Sequence, residues 1–573
     1  MKDISIVICG AAGQGIATVE DLITGILKQE GYHCFSTSEF MSRIRGGTNS
    51  TLIRVSSNRI NTAFIDRIDI LIPLHVSALP HLKHRITSDT TILGEEKNID
   101  EKYCVNQDQV IKIPFSEIAK EVGGAIYTNI VAVGVILAFF EVKEEMSTAY
   151  LSKQFVSKGD RIIHQNSDAY KKGFSIGNEL VTSGKFKNPL QKDESVLNDI
   201  VLSGAEAVGM GAIAGGCNFI SSYPMSPSTS VLVFLSHYAE DYDIIVDQAE
   251  DEIAAINKGI AAWYAGGRAM ITTSGGGFAL MTEGVSLAGM LETPMVLHIG
   301  QRPGPATGLP TRTGQEDLQH VLNAGHGEFA RVILTPGKPE DAFYLTQKAF
   351  NLADKYQIPV FILTDQFFLD SHYSIPDLDL TTIKNTMHIV KTDRDYKRYR
   401  LTEDGISPRG IPGYGNGLVN VDSDEHDEDG HITEDIHEVR PKMVEKRLYK
   451  KLELLKREII EPELIGNQDY KTLVIGWGST YGVGKEAIEN LKNDDLAFLH
   501  FKQVYPLSPK ISEYLKKAEK SIVLENNATS QFSKLLKLEL DFEADEKFLK
   551  YNGMSFSVEE VMAFLERFYE RSL

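Results

Sequence analysis

Three features of the sequence predict an α/β protein built from several open, mainly parallel-sheet domains. Short apolar runs end in glycine turns at residues 10–15, 272–278 and 476–478, once in each of three blocks. Between residues 202 and 370, strand-like segments at 269–271, 296–299, 332–334 and 360–363 alternate with helical patterns. That alternation marks a parallel sheet with helices on both faces. Finally, 573 residues exceed a single core and suggest about three or four domains of ~100–200 residues each.

In chain order, residues 4–9 read as a strand, 10–15 as a glycine turn and 19–29 as an amphipathic helix. The turn is spaced GxxGxG rather than GxGxxG, so dinucleotide binding is not specified; a ligand-free tight turn fits equally. Gly13 and Gly15, with Arg45, Gly46 and Gly47 of the next glycine pair, form a possible anion-binding loop. Backbone N–H groups at such a turn can approach an anion. Segments 51–56 and 68–73 read as strands, and the apolar run 130–140 reads as a buried helix. It is too short to cross a bilayer, which needs about 20 apolar residues. Domain limits are placed at 1–184, with a linker at 185–198 and a second domain at 199–376. A turn-rich connecting segment and helix occupy 377–465, and a last α/β domain 466–573 closes with a helix over 558–571.

Composition narrows the function classes. Net charge of −20 argues against a nucleic-acid surface, which is normally locally basic. The four cysteines are scattered without a CxxC pair, so neither a zinc site nor an iron–sulfur site is expected in this chain. The opening segment lacks the apolar core of a signal peptide, and a reduced, cytoplasmic protein is expected. The acidic run 422–429 lacks EF-hand spacing and is read as a solvated charge run, with no metal assigned.

The chemistry concentrates between residues 223 and 302. Four loops there each follow a strand-like run, as ligand-binding loops do at the carboxyl ends of an open sheet. Glu250, Asp251 and Glu252 compete as a proton-handling carboxylate whose partial desolvation would raise its pKa. The plainer reading is that acids in a first turn complement the helix dipole. Arg302, beside Pro303-Gly-Pro305, suits a two-point grip on a carboxylate. Tyr223, Ser226 and Thr307 add neutral polar groups, and together these would suit a small carboxylic acid. Hydrolase, zincin and P-loop signatures are missing.

Tyr223-Pro-Met-Ser-Pro-Ser, Gln248-Ala-Glu-Asp-Glu-Ile, Thr273-Ser-Gly-Gly-Gly-Phe278 and Gln301-Arg-Pro-Gly-Pro-Ala-Thr-Gly resemble the α subunit of the 2-oxoacid:acceptor (ferredoxin) oxidoreductases. Gly325-His-Gly-Glu-Phe329, Leu401-Thr-Glu-Asp-Gly-Ile-Ser-Pro-Arg409 and Asp424-Glu-His-Asp-Glu428 match it too, while Gly13-Gln-Gly15 and Arg45-Gly-Gly47 resemble its γ subunit. The resemblance implies a γ-type domain fused ahead of a pyrimidine-type domain of thiamine diphosphate enzymes and a transketolase C-terminal-like domain. It implies that Glu250 hydrogen-bonds the cofactor's aminopyrimidine ring and that Arg302 holds the substrate carboxylate. Ser226, Tyr223 and Thr307 would line the substrate pocket, with Pro224, Ser274, Gly275 and Phe278 against the cofactor. Ser226 stands where the family commonly has threonine, Gly276 where it has proline, and Ala12 where it has glycine.

The chain lacks the Gly-Asp-Gly segment that holds diphosphate and magnesium. The resemblance therefore implies a β subunit supplying Mg2+, an iron–sulfur cluster and the diphosphate contacts, in a heterotetramer. Coenzyme A would be co-substrate and ferredoxin the acceptor. The expected reaction is oxidative decarboxylation of a 2-oxo acid, 2-oxoglutarate first, with pyruvate or a branched-chain 2-oxo acid as the alternative. Readings from other classes are a non-catalytic nucleotide-sensing protein and a structural scaffold.

Overall fold

The computed structural model describes residues 3–41, 46–60, 62–106 and 108–572. They form two compact units, residues 1–202 with 371–377, and 203–370 with 378–573.

The first unit is built on an eight-stranded sheet. Its order is Val110–Lys112, Thr91–Gly94, Ile70–Pro73, Asp3–Ala11, Thr48–Ser56, His33–Glu39, His372–Ile375 and Ile200–Ser203. The strand Asp3–Ala11 is buried along nearly its whole length, as its continuous apolar run requires of a central strand. From it outward to Val110–Lys112 the pairing is parallel, whereas Thr48–Ser56, His33–Glu39 and His372–Ile375 are antiparallel. This sheet is thus mixed, because the connection through residues 40–47 is too short for a parallel crossover. The apolar run near residue 130 is the helix Thr128–Phe139, whose last ten residues are all buried. It packs against the helix Asp160–Thr182 at Gly134, Gly173 and Gly177, where a Cβ would collide with the facing backbone.

The second unit holds two sheets. The larger runs Gln503–Tyr505, Val332–Leu334, Pro359–Asp365, Met295–Gln301, Ala269–Thr273, Phe219–Ser222 and Ile245–Gln248, parallel except at its first strand. The smaller runs Glu463–Gly466, Leu496–Phe501, Thr472–Trp477, Lys520–Glu525 and Glu546–Leu549, again with one antiparallel edge. One apolar core, from Ile271 and Leu297 to Trp477 and Phe501, joins them.

The segment after residue 377 has little regular structure and is fastened by buried ions instead. Asp354 takes both Arg268, at 2.8 Å, and Arg409, at 2.5 Å. The acidic run is less solvated than its composition suggests. Glu425 pairs with Arg447 and Arg440, Asp429 with Lys397, and buried His426 packs at a tilt against the Tyr399 ring. Among the described residues no group of three His, Cys, Asp or Glu side chains is arranged to hold a metal. The helix expected within 377–465 comprises Val439–Val444, a π-type turn Glu445–Lys450, and Lys451–Leu455.

Candidate functional site

Four adjacent parallel strands of the larger sheet end in the loops that the sequence singles out. Residues 223–228 follow Phe219–Ser222, 249–251 follow Ile245–Gln248, 274 onward follows Ala269–Thr273, and 302 onward follows Met295–Gln301. Register pairs Ser222 with Gln248, Ile271 with Ser221 and Thr273 with Ile299, so all four loops leave the same edge. That edge is where an open parallel sheet receives a ligand.

The three competing acids have three different fates. Asp251 caps the helix Glu252–Tyr264, accepting from the Ala254 N–H at 2.7 Å, as the dipole reading expects of an acid there. Glu252 is 4% exposed, leans on Gly277, and has one oxygen without a partner. Glu250 stays 71% exposed and meets Lys258 Nζ at 3.0 Å. Its own peptide N–H, then Lys258, hold its carboxyl below the ordinary range. Desolvation is too slight to outweigh these, contrary to the expectation that it raises the carboxyl. Lys258 also reaches Asp247 at 3.1 Å, and Asp247 accepts from Ser221 Oγ at 2.6 Å.

Arg302 donates from Nη1 to the Ser226 carbonyl at 2.7 Å, bringing the first and fourth loops together. Ser226 precedes a cis proline, and Tyr223 is exposed beside half-buried Pro224. Ser274 is fully buried and its hydroxyl has no partner; Gly275 follows it half-buried. Thr307 lies exposed on the loop beyond cis Pro305. Phe278 sits in the core, edge-on to Phe361 and His320, where it packs the turn from behind.

In the first unit, Gly13 and Gly15 have φ of 84° and 74°, and Gly46 and Gly47 have 77° and 119°. The two glycine loops meet through the Ala12 N–H and the Gly47 carbonyl at 2.8 Å. Gly13 and Gly15 line a cavity of about 1060 Å³ with Lys97, Asn129 and Lys158. Arg45 lies outside the described residues.

Two nearby residues escaped the sequence reading. Lys258 reaches Glu250 across two helical turns, and Asp317 lies against Gly275 with one buried, unpartnered oxygen. Neither stands in a motif with spacing of its own; the first could have been sought among helix positions facing Glu250.

Residues 5–176 match the family model described as pyruvate ferredoxin/flavodoxin oxidoreductase. Residues 210–446 match the thiamine diP-binding model of pyruvate flavodoxin/ferredoxin oxidoreductase. The chain is 32% identical to a 2-oxoacid:ferredoxin oxidoreductase subunit alpha of Sulfolobus sp., covering 97% of this chain and 96% of that protein. The chain belongs to the 2-oxoacid:ferredoxin oxidoreductase α-subunit family. It is also 32% identical to the 2-oxoglutarate synthase subunit KorA of Methanocaldococcus jannaschii, over 57% of this chain and 88% of that one. A solved 2-oxoglutarate:ferredoxin oxidoreductase from Magnetococcus marinus, with 2-oxoglutarate, coenzyme A and succinyl-CoA bound, superposes with a TM-score of 0.92. It is 29% identical and covers 99% of each chain. The chain is accordingly an oxidoreductase subunit, with the α/β architecture that the sequence predicts.

Proposed function

We propose that this chain supplies half of the active site of a coenzyme A-acylating 2-oxoacid:ferredoxin oxidoreductase, with 2-oxoglutarate as first substrate. The observation that carries the reading is the convergence of Arg302, Ser226 and Glu250 on one sheet edge. The full-length likeness to a protein solved with 2-oxoglutarate and coenzyme A bound supports it.

The residues fit thiamine diphosphate in part. An exposed glutamate and a buried serine hydroxyl without a partner suit polar contacts, while among the described residues no cluster of His, Cys, Asp or Glu is arranged to hold the diphosphate's cation. When bound, thiamine diphosphate supplies the electron sink for decarboxylation. Glu250 would donate or share a proton with the ring nitrogen of the aminopyrimidine, whose lone pair accepts it. Lys258 has Asp247 as a second partner, so Glu250 can leave it without stranding the ammonium. Arg302 would hold the carboxylate of the 2-oxo acid with charge-assisted hydrogen bonds. Ser226, Tyr223 and Thr307 would border the substrate, and Pro224, Ser274 and Gly275 would shape the wall beside the ring, with Phe278 supporting that wall from the core rather than touching the ring as the resemblance implies.

A β subunit would bring Mg2+, the iron–sulfur cluster and the surface that buries Glu250, and ferredoxin would take the electrons. Coenzyme A is the co-substrate, and the cavity of the first unit, lined by Gly13 and Gly15 with Lys97 and Lys158, suits its anionic groups. Reduction of a redox dye by the co-expressed complex, over a panel of 2-oxo acids with and without coenzyme A, tests this reading. Turnover that needs coenzyme A and is fastest with 2-oxoglutarate is expected. Faster turnover of pyruvate or branched-chain acids reassigns the substrate, and none at all refutes the function.

A further inference from the structure

The glycine turn after the strand Ala269–Thr273 carries polar groups that the roles above leave unused. Gly275 lies so close to Asp317 that a Cβ there would run into the carboxyl. The peptide N–H of Asp317 donates to Gln301 Oε1 at 3.1 Å, which ties the acid to the residue just before Arg302. Its Oδ2 is shut off from water and has no hydrogen-bond partner, and the hydroxyl of Ser274, next to Gly275, is equally orphaned. A buried carboxylate without a partner is costly, and a group so placed relieves the cost by keeping its proton.

The charged groups acting on Asp317 are Arg302, which favours the anion, and Glu316, which opposes it. His320, a turn farther along and edge-on to Phe278, and Glu252, against Gly277, are further titratable groups at the turn. We propose that Asp317 meets the 2-oxo acid gripped by Arg302 in its protonated form, as a hydrogen-bond donor; this rests on the substrate role given to Arg302 above. An ionised Asp317 would repel that anion, whereas the neutral acid is a donor. Burial, outweighing Arg302, pushes the carboxyl up to about 7. Substrate binding therefore weakens as pH rises, by about tenfold per unit above that value.

The test measures KM and kcat for 2-oxoglutarate on the assembled complex between pH 6 and 9, for the wild type and Asp317→Asn. Asparagine keeps the shape and an N–H donor but cannot ionise. Wild-type KM should climb about a hundredfold from pH 6 to 9, while that of the variant stays level. A level wild-type profile, or a variant that keeps the wild-type slope, overturns the assignment and leaves the oxidoreductase reading standing. No turnover of any 2-oxo acid overturns both. Should Asp317→Asn fail to assemble, calorimetry in two buffers on the Glu250→Gln complex, whose chemistry is stopped, decides. Uptake of about one proton per 2-oxoglutarate bound at pH 8 is expected, and uptake of none overturns the proposal.

Discussion

Replacing Glu292 with glutamine should expose how the irregular segment after residue 377 is held. Glu292 ends the helix Thr282–Leu291 with φ of 47°. Its carboxylate meets Lys446 Nζ at 2.6 Å and Lys451 Nζ at 2.7 Å, with all three side chains 1% exposed. Arg398 donates to its carbonyl at 2.7 Å. The π-type turn Glu445–Lys450 widens the helix, and Lys446 and Lys451, five apart, reach the same acid. Burial alone would raise the Glu292 carboxyl, but Lys446, Lys451 and Arg398 together hold it below the ordinary range.

Glutamine leaves two buried ammonium groups without an anion, which costs about 3–5 kcal/mol. The roughly 360 residues of the C-terminal unit, at about 2.1 cal/mol/K each, have an unfolding entropy of ~0.76 kcal/mol/K. Dividing gives a fall in Tm of about 4–7 °C. Burial already pushes Lys451 down to about 8, against the pull of Glu292. A lysine whose folded pKa is depressed binds fewer protons folded than unfolded, so its contribution to stability rises with pH between the two pKa values. Without Glu292 that window opens lower, and the variant should recover stability between pH 7 and 9. Differential scanning calorimetry across that range measures both effects. Adding Lys446→Met and Lys451→Met should restore most of the loss, since apolar replacements of a buried ion set are often neutral. A fall in Tm under 1 °C, or a deficit independent of pH, would refute the assigned burial cost.

Other outcomes are expected at the site and in the core. Glu250→Gln should abolish dye reduction while size-exclusion chromatography still shows the assembled complex. Arg302→Met should raise KM for the 2-oxo acid by about 10–150-fold, the worth of a charged hydrogen bond of ~1.5–3 kcal/mol; an unchanged KM removes Arg302 from the substrate. Gly275→Ala should force Asp317 aside at about 1–3 kcal/mol, seen as a lower Tm together with an altered pH dependence of KM. Asp354→Asn strands Arg268 and Arg409 in the interior, and a loss of about 3–5 kcal/mol is expected by denaturant unfolding.

Read in order, the residues alone determined the α/β class, the strand-to-glycine-turn punctuation and the loops that matter. These depend on local physics: a period of two or 3.6, and turns that few residues besides glycine can make. The helix near 130 was legible as buried because its run is too short for a bilayer and apolar all round. The family resemblance came from motifs in fixed order, each confined to a few neighbouring positions.

Tertiary structure alone decided what depends on partners distant in sequence. Three adjacent acids look alike in the sequence, yet one caps a helix, one is buried against a glycine and one stays in water beside a lysine. Strand His372–Ile375 pairs with His33–Glu39 across more than three hundred residues, which no local period announces. Asp317 became notable only when packing against Gly275 removed water from one oxygen. Periodicity is a property of neighbours along the chain; desolvation and charge pairing are properties of neighbours in space, and those arise only when the chain has folded.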